Sequence, residues 1–389
     1  MKVPLLDLKP QYHSLKKELD EAILRVAESQ YFILGPEVEK MEKEFCDYLG
    51  CKHAIGVSSG TDALLLALMA IDILPGDEVI VPTYSFFATA GVVSRLNAIP
   101  MLTDIDPVTF NIDPEDVKKK ITSKTKAIIP VHLYGQSADM ESLMRIAKEK
   151  NIFVIEDAAQ AIGNEYKDGK CVGTIGDIGC FSFFPSKNLG GYGDGGLVTT
   201  NNDELAHMLR IKRVHGGEQK YYHKVIGGNF RIDALQSAVL RVKLPHLDKW
   251  SEKRRANADY YNKLFIKSGL AEETRKINFD GKNQILLPRA VYKNVSGLKN
   301  YHIYNQYIIR VQKRDELKKY LTENEIGNEI YYPVPFHMQE CFTKLNHKTG
   351  DFPEAEKASL TSLALPVYPE LTKEQQEYVV QKLKQFIQG

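Results

Sequence analysis

The stretch AIIPVHLYGQSADMESLMRIAKEKNIFVIED, residues 127–157, decides how the rest of this 389-residue chain is interpreted. Its two ends, residues 127–131 and 152–155, are short apolar runs rich in β-branched residues, as buried strands are. Between them, residues 138–149 carry apolar side chains three and four residues apart, which is the spacing of a helix that packs on one face. A strand, a helix and a second strand predict a βαβ unit with parallel strands.

The same alternation continues on both sides of this stretch. Further strands are predicted at 54–57, 78–81 and 99–103, and further helices at 61–71, 86–97 and 113–120. Repeated units of this kind predict an α/β fold with a mainly parallel sheet covered by helices on both faces. In such a sheet the ligand binds beyond the carboxyl ends of the strands, so the loops there are the place to look for chemistry.

The pattern changes in the second half of the chain. Helices are predicted at 203–213, 231–246, 247–267, 313–323 and 372–387, a strand at 304–311, and an irregular segment rich in Gly, Asn and Pro at 269–300. We therefore predict a large domain, residues 1–246, and a smaller C-terminal α/β domain, residues 247–389. The amphipathic segment 11–29 could pack with either domain.

Composition and charge exclude several classes of protein. Hydrophobic residues make up 43% of the chain and charged residues 26%, which excludes a disordered or collagenous chain. Lys and Arg total 51 against 50 Asp and Glu, so no net field attracts nucleic acid. Five cysteines without a CxxC pair predict no disulfide framework and indicate a reducing, cytoplasmic location. No apolar run reaches the roughly 18 residues that cross a bilayer, so no membrane contact is expected.

Two loops that follow predicted strands contain candidate binding residues. Ser58-Ser-Gly-Thr-Asp62 joins the 54–57 strand to the 61–71 helix, and its backbone N–H groups and hydroxyl suit a phosphate, although a plain helix cap is the favoured explanation when this loop is taken alone. Asp157 ends the 152–155 strand, where a buried carboxylate needs a cation or hydrogen-bond donors. That partner could be a capped backbone, a metal ion or the protonated nitrogen of a heterocycle.

A third loop contains one lysine among small residues. Lys187 follows the apolar run that ends in Phe183-Phe-Pro-Ser, where burial would lower its pKa and make it a nucleophilic amine. A surface lysine is the alternative. The glycines after it include a GxGxxG pattern at 191, 193 and 196, but a strand follows at 197–200 where a dinucleotide site needs a helix, so we reject that interpretation. We also find no HExxH or other metal-ligand spacing and expect no metal.

Together these loops describe a site for pyridoxal 5′-phosphate (PLP). A lysine forms an imine with the cofactor aldehyde, an aspartate keeps the pyridine nitrogen protonated, and a helix N-terminus binds the phosphate.

The sequence resembles the DegT/DnrJ/EryC1/StrS family of PLP-dependent nucleotide-sugar aminotransferases over nearly its whole length. The resemblance lies in six motifs, in this order: Tyr31-Phe-Ile-Leu-Gly-Pro36, Ser59-Gly-Thr-Asp-Ala-Leu64, Glu156-Asp-Ala-Ala-Gln160, Phe183-Phe-Pro-Ser-Lys187, Gly193-Asp-Gly-Gly196 and Gly228-Asn-Phe-Arg-Ile-Asp233. It implies the fold type I aminotransferase architecture, with a large domain built on a mainly parallel sheet and a smaller C-terminal α/β domain.

The resemblance also implies a role for each matching residue. Lys187 would bind the cofactor covalently, Asp157 would pair with its ring nitrogen, and Gln160 would contact its ring hydroxyl. The phosphate would be held by Gly60, Thr61 and Ser182, and Phe86 would stack on the ring.

The resemblance also implies that three further residues contact the substrate or the active site of a second subunit. Asn229 would reach the phosphate of the neighbouring chain, and Arg231 would meet anionic substrate groups there, which implies a homodimer with shared active sites. Tyr331 would lie near the sugar. Many relatives carry His-Tyr-Pro where this chain has Tyr331-Tyr332-Pro333, which leaves the choice of sugar open.

The expected reaction transfers the amino group of L-glutamate to a nucleotide-linked keto sugar. The form of the segment around Lys187 favours C3 of a UDP-linked 3-keto N-acetyl sugar, which would supply surface polysaccharide or lipopolysaccharide synthesis. The alternatives are a dTDP-linked keto-deoxysugar and, from another class, a non-enzymatic PLP-binding regulator. Relatives with His in place of the lysine act as dehydratases, and Lys187 argues against that activity.

Overall fold

Seven strands of the computed structural model form one central sheet, and helices cover both of its faces. The structure describes residues 1–272, 279 and 284–389. The strands are β1 His53–Val57, β2 Glu78–Pro82, β3 Ile99–Thr103, β4 Thr125–Ile128, β5 Phe153–Asp157, β6 Ile178–Ser182, β7 Gly196–Thr200, β8 Gly217–Gln219, β9 Tyr222–His223, β10 Ile285–Leu286, β11 Tyr307–Val311 and β12 Ser362–Leu365. The α-helices are α1 Lys9–Ser29, α2 Pro36–Leu49, α3 Gly60–Ala70, α4 Ala88–Arg95, α5 Pro114–Lys120, α6 Met140–Lys150, α7 Asp203–Arg213, α8 Ala234–Lys243, α9 Leu247–Lys267, α10 Arg314–Glu323, α11 Pro353–Thr361 and α12 Lys373–Gln388.

The order of strands in the large sheet is β1-β7-β6-β5-β4-β2-β3. Neighbouring strands are parallel except for β7, which lies antiparallel between β1 and β6. The prediction of a mainly parallel α/β sheet is therefore confirmed, and the carboxyl ends of β1, β5 and β6 meet at one edge.

Alternation along each strand places apolar side chains on both faces of the sheet. Val79 and Val81 of β2 pack with α3, α4 and α7, whereas Ile80 between them packs with α5 and α6. Helices α1, α2 and α8 cover the β1-β7-β6 part of the second face. The segment 11–29, whose packing partner the sequence left open, lies in α1 and packs against α8.

A second, antiparallel sheet, β10-β11-β12, packs with α9, α10 and α12 around its own apolar cluster. Because α9 follows α8 after only the short 3₁₀ turn Leu244–His246, no linker marks the change. We keep the division into residues 1–246 and 247–389 as a proposal.

Two element boundaries differ from the expected ones for local backbone reasons. Helix α8 begins at Ala234 because Arg231 forms a β-bridge with Val57. Strand β11 begins at Tyr307 because Tyr304 has a left-handed backbone, with φ 44°. The irregular segment predicted at 269–300 contains residues 273–278 and 280–283, which lie outside the described residues, and β10 interrupts the rest.

Candidate active site

A cradle for an anion forms where β1 and β6 end. Ser59 caps α3 by accepting a hydrogen bond from the N–H of Asp62 at 3.0 Å, so the plain-cap interpretation describes its side chain correctly. Gly60 presses against Ser182: a Cβ on Gly60 would lie 2.7 Å from the Ser182 Cβ. The N–H groups of Gly60 and Thr61, in the first turn of α3, have no acceptor within the helix and stand at its positive end. Gly60, Thr61 and Ser182, predicted as phosphate ligands, thus lie in one place.

Asp157 ends β5 with its carboxylate buried at 4% exposure. It accepts hydrogen bonds from the hydroxyl of Thr89 at 2.8 Å and from the N–H of Ala159 at 3.2 Å. Burial raises the pKa of Asp157, while the Thr89 hydrogen bond and the charge of Lys187 act in the opposite direction. The hydroxyl of Thr89 is itself 3.0 Å from that of Ser85. Both donors are neutral, and no basic side chain among the described residues forms a salt bridge with Asp157.

The neighbouring Glu156 fixes the end of β5 in position. Its fully buried carboxylate accepts hydrogen bonds from His132 Nε2 at 2.8 Å and from the N–H groups of Gly173, Ile175 and Gly176 at 2.6–2.7 Å. Since His132 Nδ1 accepts from the N–H of Ala138, Nε2 carries the proton that Glu156 receives. Four donors satisfy this charge, so Glu156 has a structural role and Asp157 is the carboxylate left for a ligand.

Lys187 follows β6 and is half-buried in a tight turn. Its N–H donates to the carbonyl of Phe184 at 2.9 Å, and the next residue, Asn188, donates through its side chain to the carbonyl of Ile303 at 2.9 Å. Burial lowers the pKa of Lys187 to about 8, although the charge of Asp157 acts to raise it. At pH 7 about a tenth of this amine is therefore unprotonated and nucleophilic, a far larger fraction than for an ordinary lysine.

Gln160 lies next to Asp157, and both ends of its amide are held. The amide oxygen accepts the N–H of Tyr134 at 2.7 Å, and the amide nitrogen donates to the hydroxyl of Tyr332 at 2.6 Å. The rings of Tyr134 and Tyr332 stack with centroids 6.1 Å apart. Both tyrosines have left-handed backbones, with φ 59° and 60°, a conformation that costs free energy and is common at functional sites.

Phe86 lies between Ser85 and Thr89 in the chain, and Tyr331 immediately precedes Tyr332, so the backbone brings both close to this arrangement. Phe86, just before α4, is 59% exposed, so its ring face is open for stacking, while the adjacent Phe87 packs against Phe342 with centroids 5.7 Å apart. The carbonyl of Tyr331 accepts the hydroxyl of Tyr84 at 3.3 Å, which brings the segment 331–333 to the edge of the large sheet.

Asn229 and Arg231 lie on the loop that precedes α8, beside the end of β1. The carbonyl of Phe230 accepts the N–H of Ser58 at 3.0 Å, so the loop borders the anion cradle of its own chain. Asn229 is exposed. The Nε of Arg231 is buried and has no hydrogen-bond partner among the described residues. The loop thus offers an amide and an incompletely satisfied guanidinium near a phosphate position.

The arrangement fits PLP. The cradle offers unpaired N–H groups to a phosphate, Lys187 offers a nucleophilic amine, and Asp157 offers a buried negative charge whose two donors are neutral. A protonated ring nitrogen would supply the cationic partner that this charge lacks. The individual roles of the predicted residues remain proposals.

Sequence reasoning missed Thr89 and did not assign Tyr332 or Tyr134. Thr89 lies three residues after Phe86, a helical spacing that could have directed attention to it. Tyr332 stands inside the quoted 331–333 segment, but its contact with Gln160 spans 172 residues, and no local pattern predicts such a contact.

Comparison with known proteins places these features in a family. Residues 13–384 match the DegT/DnrJ/EryC1/StrS aminotransferase family. A protein of Geobacillus stearothermophilus named pleiotropic regulatory protein is 50% identical over 99% of both chains. The UDP-N-acetyl-3-dehydro-alpha-D-glucosamine 3-aminotransferase of Acidithiobacillus ferrooxidans is 40% identical over 100% of this chain and 98% of its own. The dTDP-3-amino-3,4,6-trideoxy-alpha-D-glucose transaminase of Streptomyces venezuelae is also 40% identical, over 99% and 96%.

Solved structures agree with these relatives. DesV of S. venezuelae, in complex with a ketimine intermediate, superposes with a TM-score of 0.90 at 39% identity and covers 100% of this chain and 99% of its own. NtdA of Bacillus subtilis, with the bound cofactor PMP, has a TM-score of 0.88 at 32% identity, covering 100% and 86%.

Proposed function

Since the chain belongs to the DegT/DnrJ/EryC1/StrS aminotransferase family, we propose that it transfers the amino group of L-glutamate to C3 of a UDP-linked 3-keto N-acetyl sugar. Family membership confirms the fold type I architecture, the class of sugar aminotransferase and the cofactor PLP. The proposal goes beyond these in naming glutamate, the nucleotide and the carbon. The observation that carries the amino-transfer chemistry is the pair Lys187 and Asp157, which lie beyond the carboxyl end of β6 and at the end of β5 and interact through charge.

Each residue of the proposed site would have a separate role in the reaction. PLP, when bound, supplies an aldehyde that takes up an amino group and a ring that withdraws electrons from the reacting carbon. Asp157 would hold a proton on the ring nitrogen, Gln160 would orient the ring hydroxyl, and the first turn of α3 would bind the phosphate. The Nζ of Lys187, with its pKa near 8, would take the proton from the α-carbon of glutamate and later return one to the sugar carbon.

The choice of sugar rests on the segment around Lys187 and on a relative. The Acidithiobacillus protein, 40% identical to this chain, is named for a UDP-linked 3-keto N-acetyl sugar. A relative named for a dTDP-linked sugar has the same identity, so a dTDP-linked keto-deoxysugar is the second candidate. An amino sugar of the first kind would serve the synthesis of surface polysaccharide or lipopolysaccharide.

The proposed setting is the cytoplasm. All five cysteines are free thiols, as in a reducing compartment. No helix within the described residues is both long and apolar enough to cross a bilayer.

The test first distinguishes an aminotransferase from a non-enzymatic PLP-binding regulator and then distinguishes the two candidate sugars. The PLP-loaded protein is mixed with L-glutamate alone, and the absorption of the bound cofactor and the release of 2-oxoglutarate are followed. If the protein is an aminotransferase, it releases one equivalent of 2-oxoglutarate per site. The Lys187→Ala variant then releases none. Lys170→Ala, which changes an exposed surface lysine, is the control and behaves as wild type. No conversion would support the regulator, which the name of the Geobacillus relative favours.

The converted protein is then offered the two keto sugars. We expect faster return of the cofactor absorption with the UDP-linked 3-keto N-acetyl sugar. Faster turnover of the dTDP-linked sugar would replace the first candidate with the second.

A further inference from the structure

A cavity of about 680 Å³ lies between α1 and the turn around Lys187. Leu15, Leu19 and Ile23 of α1 form its apolar wall, and Pro185 and Tyr192 line it from the turn. None of the predicted site residues lines this cavity, so it is separate from the proposed PLP site.

Among the described residues that line this cavity, the buried basic group is Lys243, at the C-terminal end of α8. Its side chain is buried, with the residue 4% exposed, and its Nζ donates to the carbonyl of Gly190. Within the described parts of the chain no carboxylate forms a salt bridge with it, and the ring centroids of Tyr192 and Trp250 lie 6.0 and 5.9 Å from its Nζ. An ammonium has three donors, and among the described residues this one has a neutral carbonyl as acceptor and two aromatic rings nearby.

A buried cation without a counter-ion is costly, and an anion in the cavity would remove that cost. Burial lowers the pKa of Lys243 to about 8, as expected when no negative charge stabilises the ammonium. The carboxylate of Asp20, which also lines the cavity, already pairs with Lys16 and accepts a hydrogen bond from the hydroxyl of Tyr12 at 3.4 Å. Lys9, at the exposed start of α1, adds positive charge at the rim.

We propose that this cavity binds an amphipathic monocarboxylate, whose carboxylate pairs with Lys243 while its apolar body packs against α1. The wall of leucine and isoleucine side chains matches an alkyl or aryl body, and the single cation matches one negative charge. The same ammonium donates to the carbonyl of Gly190, three residues after Lys187. A ligand that pairs with this ammonium would therefore also affect the position of the turn that carries Lys187.

Calorimetric titration of the PLP-loaded protein with sodium octanoate tests this proposal. We expect saturable binding of one octanoate per chain, with a parallel change in the fluorescence of Trp250, which is the single tryptophan of the chain. Uncharged 1-octanol should bind at least tenfold more weakly. Lys243→Met, which keeps the length of the side chain and removes its charge, should lower octanoate affinity at least tenfold, and Lys40→Met on the exposed surface of α2 should not.

Three outcomes overturn the proposal: no saturable binding, equal affinity for octanoate and octanol, or unchanged affinity in Lys243→Met. If Lys243→Met fails to fold, Leu15→Phe narrows the cavity and leaves the ammonium in place. It should also weaken octanoate binding at least tenfold, and unchanged affinity would place octanoate elsewhere.

Discussion

Lys187 and Asp157 influence each other through charge. Burial lowers the pKa of Lys187 to about 8, and the carboxylate of Asp157 keeps it from falling further. Only the neutral amine is nucleophilic, so its reactivity rises with pH through the pKa and levels off above it.

This predicts the reactivity of Lys187 in the protein before PLP is bound. Trace acetylation followed by peptide mass spectrometry should give a rate at Lys187 with a midpoint near pH 8. Asp157→Asn removes the negative charge, so the midpoint should move to lower pH, while Asp168→Asn on an exposed turn should leave it in place. A midpoint near the ordinary lysine value would mean that the amine is fully hydrated.

We propose that Lys187 alone forms the covalent bond to the cofactor. Lys187→Ala should lose the absorption of the covalently bound cofactor and nearly all turnover. Borohydride reduction of the wild-type protein should fix the cofactor to the peptide that contains Lys187. An adduct on any other lysine would refute the assignment.

Asp157→Asn should also slow catalysis without unfolding the protein. Asparagine can still accept the hydrogen bond of Thr89 but cannot hold a proton on the ring nitrogen by charge. We expect a barrier higher by several kcal/mol, about 1.36 kcal/mol for each tenfold loss of rate. The measurement is turnover at saturating substrate, with thermal unfolding as the control, and near-normal turnover would assign ring protonation to another group.

At the scale of elements, helix α11 depends on a residue of another part of the chain for its first turn. The carboxylate of Asp104, just after β3, accepts the N–H groups of Glu354 at 3.0 Å and Ala355 at 2.8 Å. No side chain of the helix itself caps this end. Asp104 therefore supplies both a cap and a negative charge at the helix N-terminus.

Asp104→Ala should destabilise the protein by about 1–2 kcal/mol, because it leaves these N–H groups without an acceptor. The midpoint of urea unfolding measures the loss. Asp104→Asn keeps an acceptor oxygen and should recover part of it. Equal midpoints for the alanine variant and the wild type would show that water satisfies the helix end.

How far the sequence predicts the elements and the site depends on the range of the interactions involved. The strand–helix alternation is local, so strands β1 to β5 and helices α3 to α6 were predicted within a few residues. Lys187 and Asp157 were found because both follow apolar strands. The cap from Asp104 and the hydrogen bond from Tyr332 to Gln160 join residues far apart in the chain, and no pattern of spacing encodes them. The antiparallel position of β7 also had no local signal.

At the scale of the whole molecule, we propose a homodimer with shared sites. The loop with Asn229 and Arg231 follows the β8–β9 hairpin, where Tyr221 and Tyr222 are 82% and 67% exposed, and Ile226 just after the hairpin is 86% exposed. Large apolar side chains exposed together are typical of a protein interface. The buried Nε of Arg231 also has no hydrogen-bond partner among the residues that the structure describes.

Subunit exchange tests whether the loop acts on the partner's site. Inactive Lys187→Ala is mixed with inactive Arg231→Ala, and exchange is confirmed by mass spectrometry of differently tagged chains. If the loop acts across the dimer, one site in each mixed dimer contains both wild-type residues. With random pairing half of the dimers are mixed, so about a quarter of wild-type activity should return. Activity that stays at the background level would place the loop in the site of its own chain.

The insertion of β7 between β1 and β6 has a consequence for how the chain folds. During synthesis on the ribosome β1 emerges early, yet its neighbour in the sheet is β7, at residues 196–200. Gly196 also passes so close to the carbonyl of Ser59 that a Cβ there would lie 2.5 Å from it. A nascent chain that stops before Gly196 therefore lacks the strand that joins β1 to β6, and the loop at Ser59 lacks its contact with Gly196. Because non-local pairing of this kind forms slowly, the capacity to hold the cofactor is expected to arise late in folding, after the β2–β5 region has formed.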